Sequence, residues 1–318
     1  MRILVVGGTR FVGRHLVEQA GNRGHQVTVF HRGRTGVDLF PDVEHRIGDR
    51  DRDLAALAES TWDATVDTCA YLPRQVHALA DVLGARGGRH LLVSSVSAYQ
   101  PPPAAGITED APLAELDDPD VDEVTDVSYG GLKVRCERAA VERYGPETLL
   151  VRPTYVVGPD DYTWRFPWWV ERLSRGGEVL VPGPADAPAQ LVDVRDLGSF
   201  MVGLIEGDLA GDFHAVSPQP PFSWRDEIEA IRAEVAPEGT VLTWVDAQFL
   251  LAEGVHGRDL PLWGEGDVAD GYLMAADPAK SYAAGLAPRP LLDTVRDTLD
   301  TSRCRPPRAP STSASACT

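Results

Sequence analysis

The stretch Arg2-Ile3-Leu4-Val5-Val6-Gly7-Gly8-Thr9-Arg10-Phe11-Val12-Gly13 decides the fold. Arg2–Val6 reads as a strand, and Ile3-Leu4-Val5-Val6 is apolar enough to be buried on both faces, as central strands of a parallel sheet are. Glycines follow at once, and residues 12–21 have the pattern of an amphipathic helix. A glycine turn between a buried strand and a helix lets backbone amides approach a pyrophosphate at the helix N-terminus. Gly7 would make the turn, and Gly13 would let the helix pack closely on the strand. Gly7, Thr9, Arg10, Phe11, Val12 and Gly13 are therefore candidate dinucleotide contacts. Arg10 stands where many such turns have a glycine, and could flank the phosphates.

Outward from this turn, strand and helix patterns alternate. Strands are expected at 26–31, 43–47, 64–69, 90–94 and 148–151, and helices at 53–60, 73–86 and 129–143. Such alternation predicts an α/β fold with a doubly wound parallel sheet of Rossmann type. After Arg152-Pro153 the alternation breaks down, and Pro, Gly and Trp become frequent. Residues 1–157 are expected to form the cofactor domain, with 190–217 returning to it. Residues 158–189 and 218–300 then form a smaller substrate domain, and 301–318, rich in Pro, Ser, Thr and Ala, a disordered tail.

The second strand, Val27-Thr28-Val29-Phe30, runs into His31-Arg32-Gly33-Arg34. An acid at this point would engage the ribose 2′-hydroxyl of NAD. None is present, and Arg32 and Arg34 could hold a 2′-phosphate, so NADP is expected in preference to NAD. Asp49 could contact the adenine or cap the next helix.

Tyr129-Gly130-Gly131-Leu132-Lys133 is a YxxxK motif, and on a helix its ends share one face. An ammonium beside a phenol favours the phenolate, so such a tyrosine can exchange a proton at neutral pH. The lysine can also reach a nicotinamide ribose. Upstream, Ser94-Ser95-Val96-Ser97-Ala98-Tyr99 begins at the end of a buried strand, where ligands of parallel sheets bind. A serine there can hydrogen-bond a substrate oxygen that changes charge.

Taken with Arg152-Pro153-Thr154-Tyr155-Val156-Val157-Gly158-Pro159 and Leu191-Val192-Asp193-Val194-Arg195-Asp196-Leu197, these motifs make the chain similar to the extended short-chain dehydrogenase/reductases. That family is also called NAD-dependent epimerase/dehydratases, and the resemblance runs from Met1 to about Leu292. The Gly-Gly-Thr-Arg-Phe turn resembles a branch that includes chloroplast stem-loop-binding proteins. The resemblance implies Ser95, Tyr129 and Lys133 as catalytic residues. Family dehydratases carry Thr-Asp-Glu where Ser95-Val96-Ser97 stand, so sugar dehydration is not expected. Nucleotide-sugar members have Asn where this chain has Tyr155, and an Arg where it has Pro188-Ala189-Gln190. Both departures argue against a nucleotide diphosphate substrate.

Tyr155, Tyr162, Trp164, Phe166, Trp168 and Trp169 cluster after the Arg-Pro motif, partly as core and partly as pocket wall. Tyr71, Ser97, Tyr155 and Trp164 are the candidate substrate contacts. His214, in an apolar strand pattern, is expected to be structural. The expected activity is carbonyl–alcohol interconversion on a small molecule by an NAD(P)-dependent oxidoreductase. The alternatives are an NAD-dependent epimerase of a sugar-like substrate and a non-catalytic nucleotide- or RNA-binding relative.

Composition limits the partners. The formal net charge is −18, which argues against nucleic acid as the main partner, because phosphate binding needs a basic footprint. The acids concentrate between Glu109 and Asp126, a solvated loop or a lid over the nearby Tyr129. Cys69, Cys136, Cys304 and Cys317 form no CxxC pair, so neither disulfides nor a metal site is expected. No apolar run is long enough for a membrane span, and the N-terminus lacks signal-peptide character, so a cytoplasmic protein, possible as a homodimer, is expected.

Overall fold

The computed structural model describes residues 1–101, 104–118, 120–264 and 272–303. Strand β1 (Arg2–Val6) leads into α1 (Phe11–Asn22), followed by β2 (Gln26–His31), β3 (Glu44–Ile47), β4 (Ala64–Asp67) and α2 (Pro73–Leu83). Next come β5 (Arg89–Val93), α3 (Tyr129–Tyr144) and β6 (Leu149–Pro153). The chain continues through β7 (Tyr155–Val157), α4 (Arg165–Ser174), β8 (Glu178–Pro182), β9 (Pro188–Asp193), α5 (Val194–Glu206) and β10 (Gly211–Ala215). It ends with β11 (Ser217–Ser223), α6 (Trp224–Val235), β12 (Val241–Val245), α7 (Ala247–Ala252), α8 (Ala279–Ala283) and α9 (Leu291–Arg303).

Seven parallel strands form the central sheet in the order β10-β6-β5-β4-β1-β2-β3. The expected doubly wound fold is the one observed. The strand order reverses between β1 and β4, which opens a crevice at their carboxyl ends. Ile3, Leu4 and Val5 have no exposed surface, because helices cover both faces of the sheet. Helices α1 and α5 close one face over a core that includes Val5, Leu16, Leu197 and Met201. A second core gathers Phe166, Trp169, Trp224 and Ile228 around the small sheets β11-β9-β7 and β12-β8.

Three expectations need correction. Residues 53–60 form only a 3-10 turn at Ala55–Leu57. The Asp-rich approach prefers local turns, with Asp53 accepting from the Ala55 N–H at 3.0 Å. Residues 190–193 do not return to the central sheet. They belong to β9, which pairs with β7 and β11, and only α5 and β10 return. Of the tail expected at 301–318, residues 301–303 complete α9, while 304–318, with Cys304 and Cys317, lie outside the described residues.

Candidate active site

The glycine turn follows β1 into the crevice. Gly7 has φ +93°, and a Cβ there would meet Thr68 Oγ1 at 2.6 Å and Cys69 Sγ at 2.9 Å. Two loops therefore meet with no room for a side chain, and glycine alone suits both the space and the backbone. A Cβ at Gly13 would overlap the Gly7 carbonyl oxygen, which is how closely α1 seats on the turn. The first turn of α1 has no acidic residue and no side-chain cap. Its amides are open to an anion, which fits the pyrophosphate of a dinucleotide.

Thr9 and Phe11 are buried, and Val12 packs on the first core. Arg10 is exposed, and its guanidinium lies 3.6 Å from the centroid of the Tyr162 ring. The same ring meets Phe11 edge-on at 6.3 Å. Beside it, Arg14 pairs with Asp160 at 2.8 Å, and His15 Nε2 lies 3.1 Å from the Pro159 carbonyl. The segment after β7 is thus bolted to the start of α1, beside the turn. Tyr162 was read from sequence only as a member of an aromatic cluster.

The second group lies where β4 and β5 end. Lys133 is 3% exposed, and its ammonium donates to the Ala70 carbonyl at 2.9 Å and the Val93 carbonyl at 2.6 Å. This charge is fixed by strand-end carbonyls and has one further N–H to offer. Tyr129, four residues back on α3, has its ring 6.4 Å from that of Tyr71, and the Lys133 ammonium is 5.5 Å from the Tyr71 ring centre. The Tyr71 backbone is held by Gln75, whose side-chain oxygen accepts from the Tyr71 N–H at 2.9 Å.

Ser95 follows β5 and caps a 3-10 turn, its Oγ accepting from the Ser97 N–H at 3.1 Å and lying 3.2 Å from Ser97 Oγ. A Cβ at Gly130 would strike the Ser97 carbonyl oxygen, and one at Gly131 would meet the Leu116 side chain at 2.4 Å or more. The start of α3 therefore presses directly on the serine turn. Ser95, Ser97, Tyr129, Lys133 and Tyr71 are brought together, and Gly130 is the residue that permits it. Its role was not read from sequence, because a glycine inside YxxxK has no local signature.

Beneath this group, Arg50 forms a two-pronged pair with Asp67 at 2.7 and 2.8 Å and donates to Cys69 Sγ at 3.3 Å. Burial raises the Asp67 pKa, but the Arg50 charge outweighs it and holds the carboxyl below its ordinary value. The same burial pushes the Cys69 thiol up, which suits an inert thiol.

At the end of β2, Arg32 and Arg34 are exposed and pair with no acid among the described residues. The Asp49 carboxylate accepts from the Asp51 N–H at 3.2 Å, and its carbonyl accepts from Asp53. Of the two roles open to Asp49, the local turn is the one with a visible partner.

The remaining substrate candidates lie further out. Tyr155, half-buried on β7, has the Arg165 guanidinium 5.0 Å from its ring centre and packs on the second core. Trp164 is half-buried with φ +65° and precedes α4. Phe166 and Trp169 are core residues. His214 is structural: its Nε2 lies 2.7 Å from the Tyr99 hydroxyl and its Nδ1 2.9 Å from the Asp277 carbonyl. Among the described residues no group of His, Cys, Asp and Glu could hold a metal ion, and no helix is long and apolar enough to cross a membrane.

Comparison with known proteins agrees with this geometry. The pattern of the NAD dependent epimerase/dehydratase family matches residues 3–214. The chain is 26% identical over 225 residues to the chloroplast stem-loop binding protein of 41 kDa b from Arabidopsis thaliana, a match spanning 66% of this chain and 56% of that relative. Among solved structures, the Bordetella bronchiseptica enzyme WbmH in complex with NAD+ superposes with a TM-score of 0.69 at 20% identity, covering 95% of this chain and 98% of that one. UDP-glucuronic acid 4-epimerase from Bacillus cereus in complex with NAD gives 0.70 at 14% identity, covering 96% and 99%. At these identities the structural likeness establishes the fold.

Proposed function

The chain belongs to the NAD dependent epimerase/dehydratase family, and on that premise we propose that it is an epimerase of a sugar-like alcohol. One hydroxyl of the substrate is oxidised and the resulting carbonyl is reduced again from the opposite face. The observation that carries this reading is the convergence of Ser95, Tyr129 and Lys133 at the strand ends beside the glycine turn. A nicotinamide dinucleotide bound at that turn would supply the hydride acceptor of the first half and the hydride donor of the second.

Tyr129 takes the hydroxyl proton as the carbon loses hydride, and returns it when hydride comes back. Ser95 donates a hydrogen bond to the same oxygen in both halves. Lys133, anchored by two carbonyls, directs its remaining N–H toward a ribose and keeps positive charge near Tyr129. Hydride and proton both leave and both return, so no net redox change results. The Gln190 amide is engaged at both ends by Ala276, at 2.9 and 2.8 Å. Relatives that bind a nucleotide diphosphate carry an Arg in the stretch where Pro188-Ala189-Gln190 stand, and its absence supports a substrate without one.

A second reading is favoured by one observation. The end of β2 lacks an acid and presents Arg32 and Arg34, which suits NADP and a reductase that exchanges its cofactor. The deciding experiment denatures freshly purified protein and identifies any nucleotide released. Close to one oxidised dinucleotide per chain supports the epimerase. Empty protein that binds NADPH reversibly supports the reductase. Empty protein that binds neither NADH nor NADPH refutes both.

A further inference from the structure

The end of β2 carries a pair of histidines that the proposed reaction leaves unused. His31 is buried, and the ring of His45 on β3 meets it edge to face at 5.1 Å. The Gly33 N–H donates to His31 Nδ1 at 3.2 Å, so that nitrogen carries no proton. The His31 proton therefore sits on Nε2, which donates to His45 Nδ1 at 2.9 Å. His45 in turn carries its proton on Nε2 and donates to the Phe40 carbonyl at 3.2 Å. Each ring nitrogen thus has one partner of the right polarity.

This chain of hydrogen bonds starts at Gly33 and ends at Phe40, the two ends of one loop. Arg34 stands on that loop and Arg32 at its edge. The loop also closes on the glycine turn, since a Cβ at Gly36 would meet the Thr9 carbonyl oxygen at 2.8 Å. We propose that His31 and His45 are positioning residues for the adenosine end of the dinucleotide. They hold the 33–40 loop so that Arg32 and Arg34 face a 2′-phosphate, and they do so only while His31 is neutral. The inference rests on the NADP reading given above.

The surroundings leave the pair sensitive to protons. On β3, Glu44 and Arg46 alternate onto the other face, where they engage Thr28, the Ala56 carbonyl and the Trp62 ring. Across on α1, Arg14 and Glu18 pair with each other. On the loop, Arg32, Arg34, Asp38 and Asp42 are exposed, and beyond β3 Asp49 is engaged by Asp51. His45 is the charge-bearing neighbour that acts on His31. Burial, and then that neighbour, lower the His31 pKa below the ordinary 6.5. A proton on His31 Nδ1 would face the Gly33 N–H. The folded form binds the proton more weakly than an unfolded chain. Anchoring of the loop is thus complete above about pH 6.5 and declines as pH falls below it.

The test compares wild type with His31→Gln and His45→Ala, each freed of bound nucleotide. Glutamine at position 31 keeps an acceptor and a donor but does not titrate. NADP+ and NAD+ binding are measured by calorimetry at about pH 7.5 and about pH 5.5, the latter about one unit below the ordinary imidazole value, so that excluding one proton costs up to about tenfold in affinity. Wild type is expected to lose up to about tenfold more NADP+ affinity on acidification than His31→Gln, the phosphate's own titration being common to both. His45→Ala is expected to bind weakly at both values. Identical pH profiles for wild type and His31→Gln would overturn the inference and leave the dinucleotide reading standing. So would full NADP+ affinity in His45→Ala. Nitrogen-15 shifts of the His31 ring supply a readout without cofactor, and a proton on Nδ1 at the higher pH would overturn the inference. Failure of nucleotide-free wild type to bind either dinucleotide at either pH would overturn both readings.

Discussion

Gly130 shapes the site by what it lacks. With the Ser97 carbonyl where a Cβ would stand, Gly130→Ala forces α3 away from the serine turn. Alanine's advantage as a helix former, about 1 kcal/mol in a helix interior, is outweighed by the clash with a backbone carbonyl, so stability should fall as well. Displacement of Tyr129 from Ser95 should cost about 10²-fold in turnover, because catalysis depends on near-contact geometry. Steady-state rates beside thermal melts separate the two effects. Tyr129→Phe should lower turnover by about 10²- to 10⁴-fold while dinucleotide affinity is kept, since only the proton carrier is removed. Glu227 presents a different case. It is 4% exposed on α6, its Oε1 has no hydrogen-bond partner among the described residues, and burial pushes its pKa up to about 8. The folded state holds this proton while the unfolded state releases it near the ordinary glutamate value. Stability from this group is therefore full at low pH and declines as pH rises from about 4.5 toward about 8. Glu227→Leu should remove that slope and raise the melting temperature at pH 8, as melts across the pH range would report. The YxxxK spacing and the strand-end serines were legible residue by residue, because helix and strand periods are local. Glu227 and Gly130 were not, since what matters about them is the neighbour each meets from a distant part of the chain.

Helix α3 and strand β6 are joined by a buried pair that holds the helix carrying Tyr129 and Lys133 in register. Arg152 donates to Glu137 at 2.9 and 2.8 Å, and both side chains are 3% exposed. Arg152 also donates to the Tyr99 hydroxyl at 2.5 Å and to Asp212 at 2.9 Å, so one guanidinium links four elements of the cofactor half. Leaving a buried charge wholly unpaired costs about 3–5 kcal/mol. Glu137→Ala keeps the Arg152–Asp212 pair, so it should lose part of that in denaturant titrations, whereas a loss below about 1 kcal/mol would show the Glu137 pair to be solvent-screened. The Arg-Pro motif was visible in the sequence as a marker, but its work is structural. Elements with strong local patterns, such as β1, β2 and α3, were legible to within a residue or so. The membership of β9 was not, because an apolar strand next to a helix has the same pattern whichever sheet it joins. Its placement depends on hydrogen bonds to β7 and β11, which no local pattern encodes.

On the scale of the whole molecule, the segment following β7 reaches back to α1 through Pro159, Asp160 and Tyr162, so the dinucleotide turn is flanked by chain from beyond the central sheet's first six strands. The charge distribution sets the choice among partners. One relative is named for binding stem-loops, yet the present chain has a formal net charge of −18. Its acids concentrate between Glu109 and Asp126, beside the serine turn and Tyr129. The exposed cations Arg32 and Arg34 sit at the end of a single strand, enough to meet one phosphate and far short of a backbone track. Phosphate-backbone binding requires several such contacts, and each adds to a steep dependence on salt. A fluorescent RNA hairpin titrated with this protein at about 0.15 M salt is therefore expected to show no change in anisotropy, with the Debye length near 8 Å screening any weak patch. Saturable binding that weakens with a steep salt slope would mean that a basic surface forms on association, and would favour the stem-loop-binding reading over the enzymatic one. Absence of binding at this salt, in a preparation that takes up dinucleotide, would leave the crevice between β1 and β4 as the working site of the molecule.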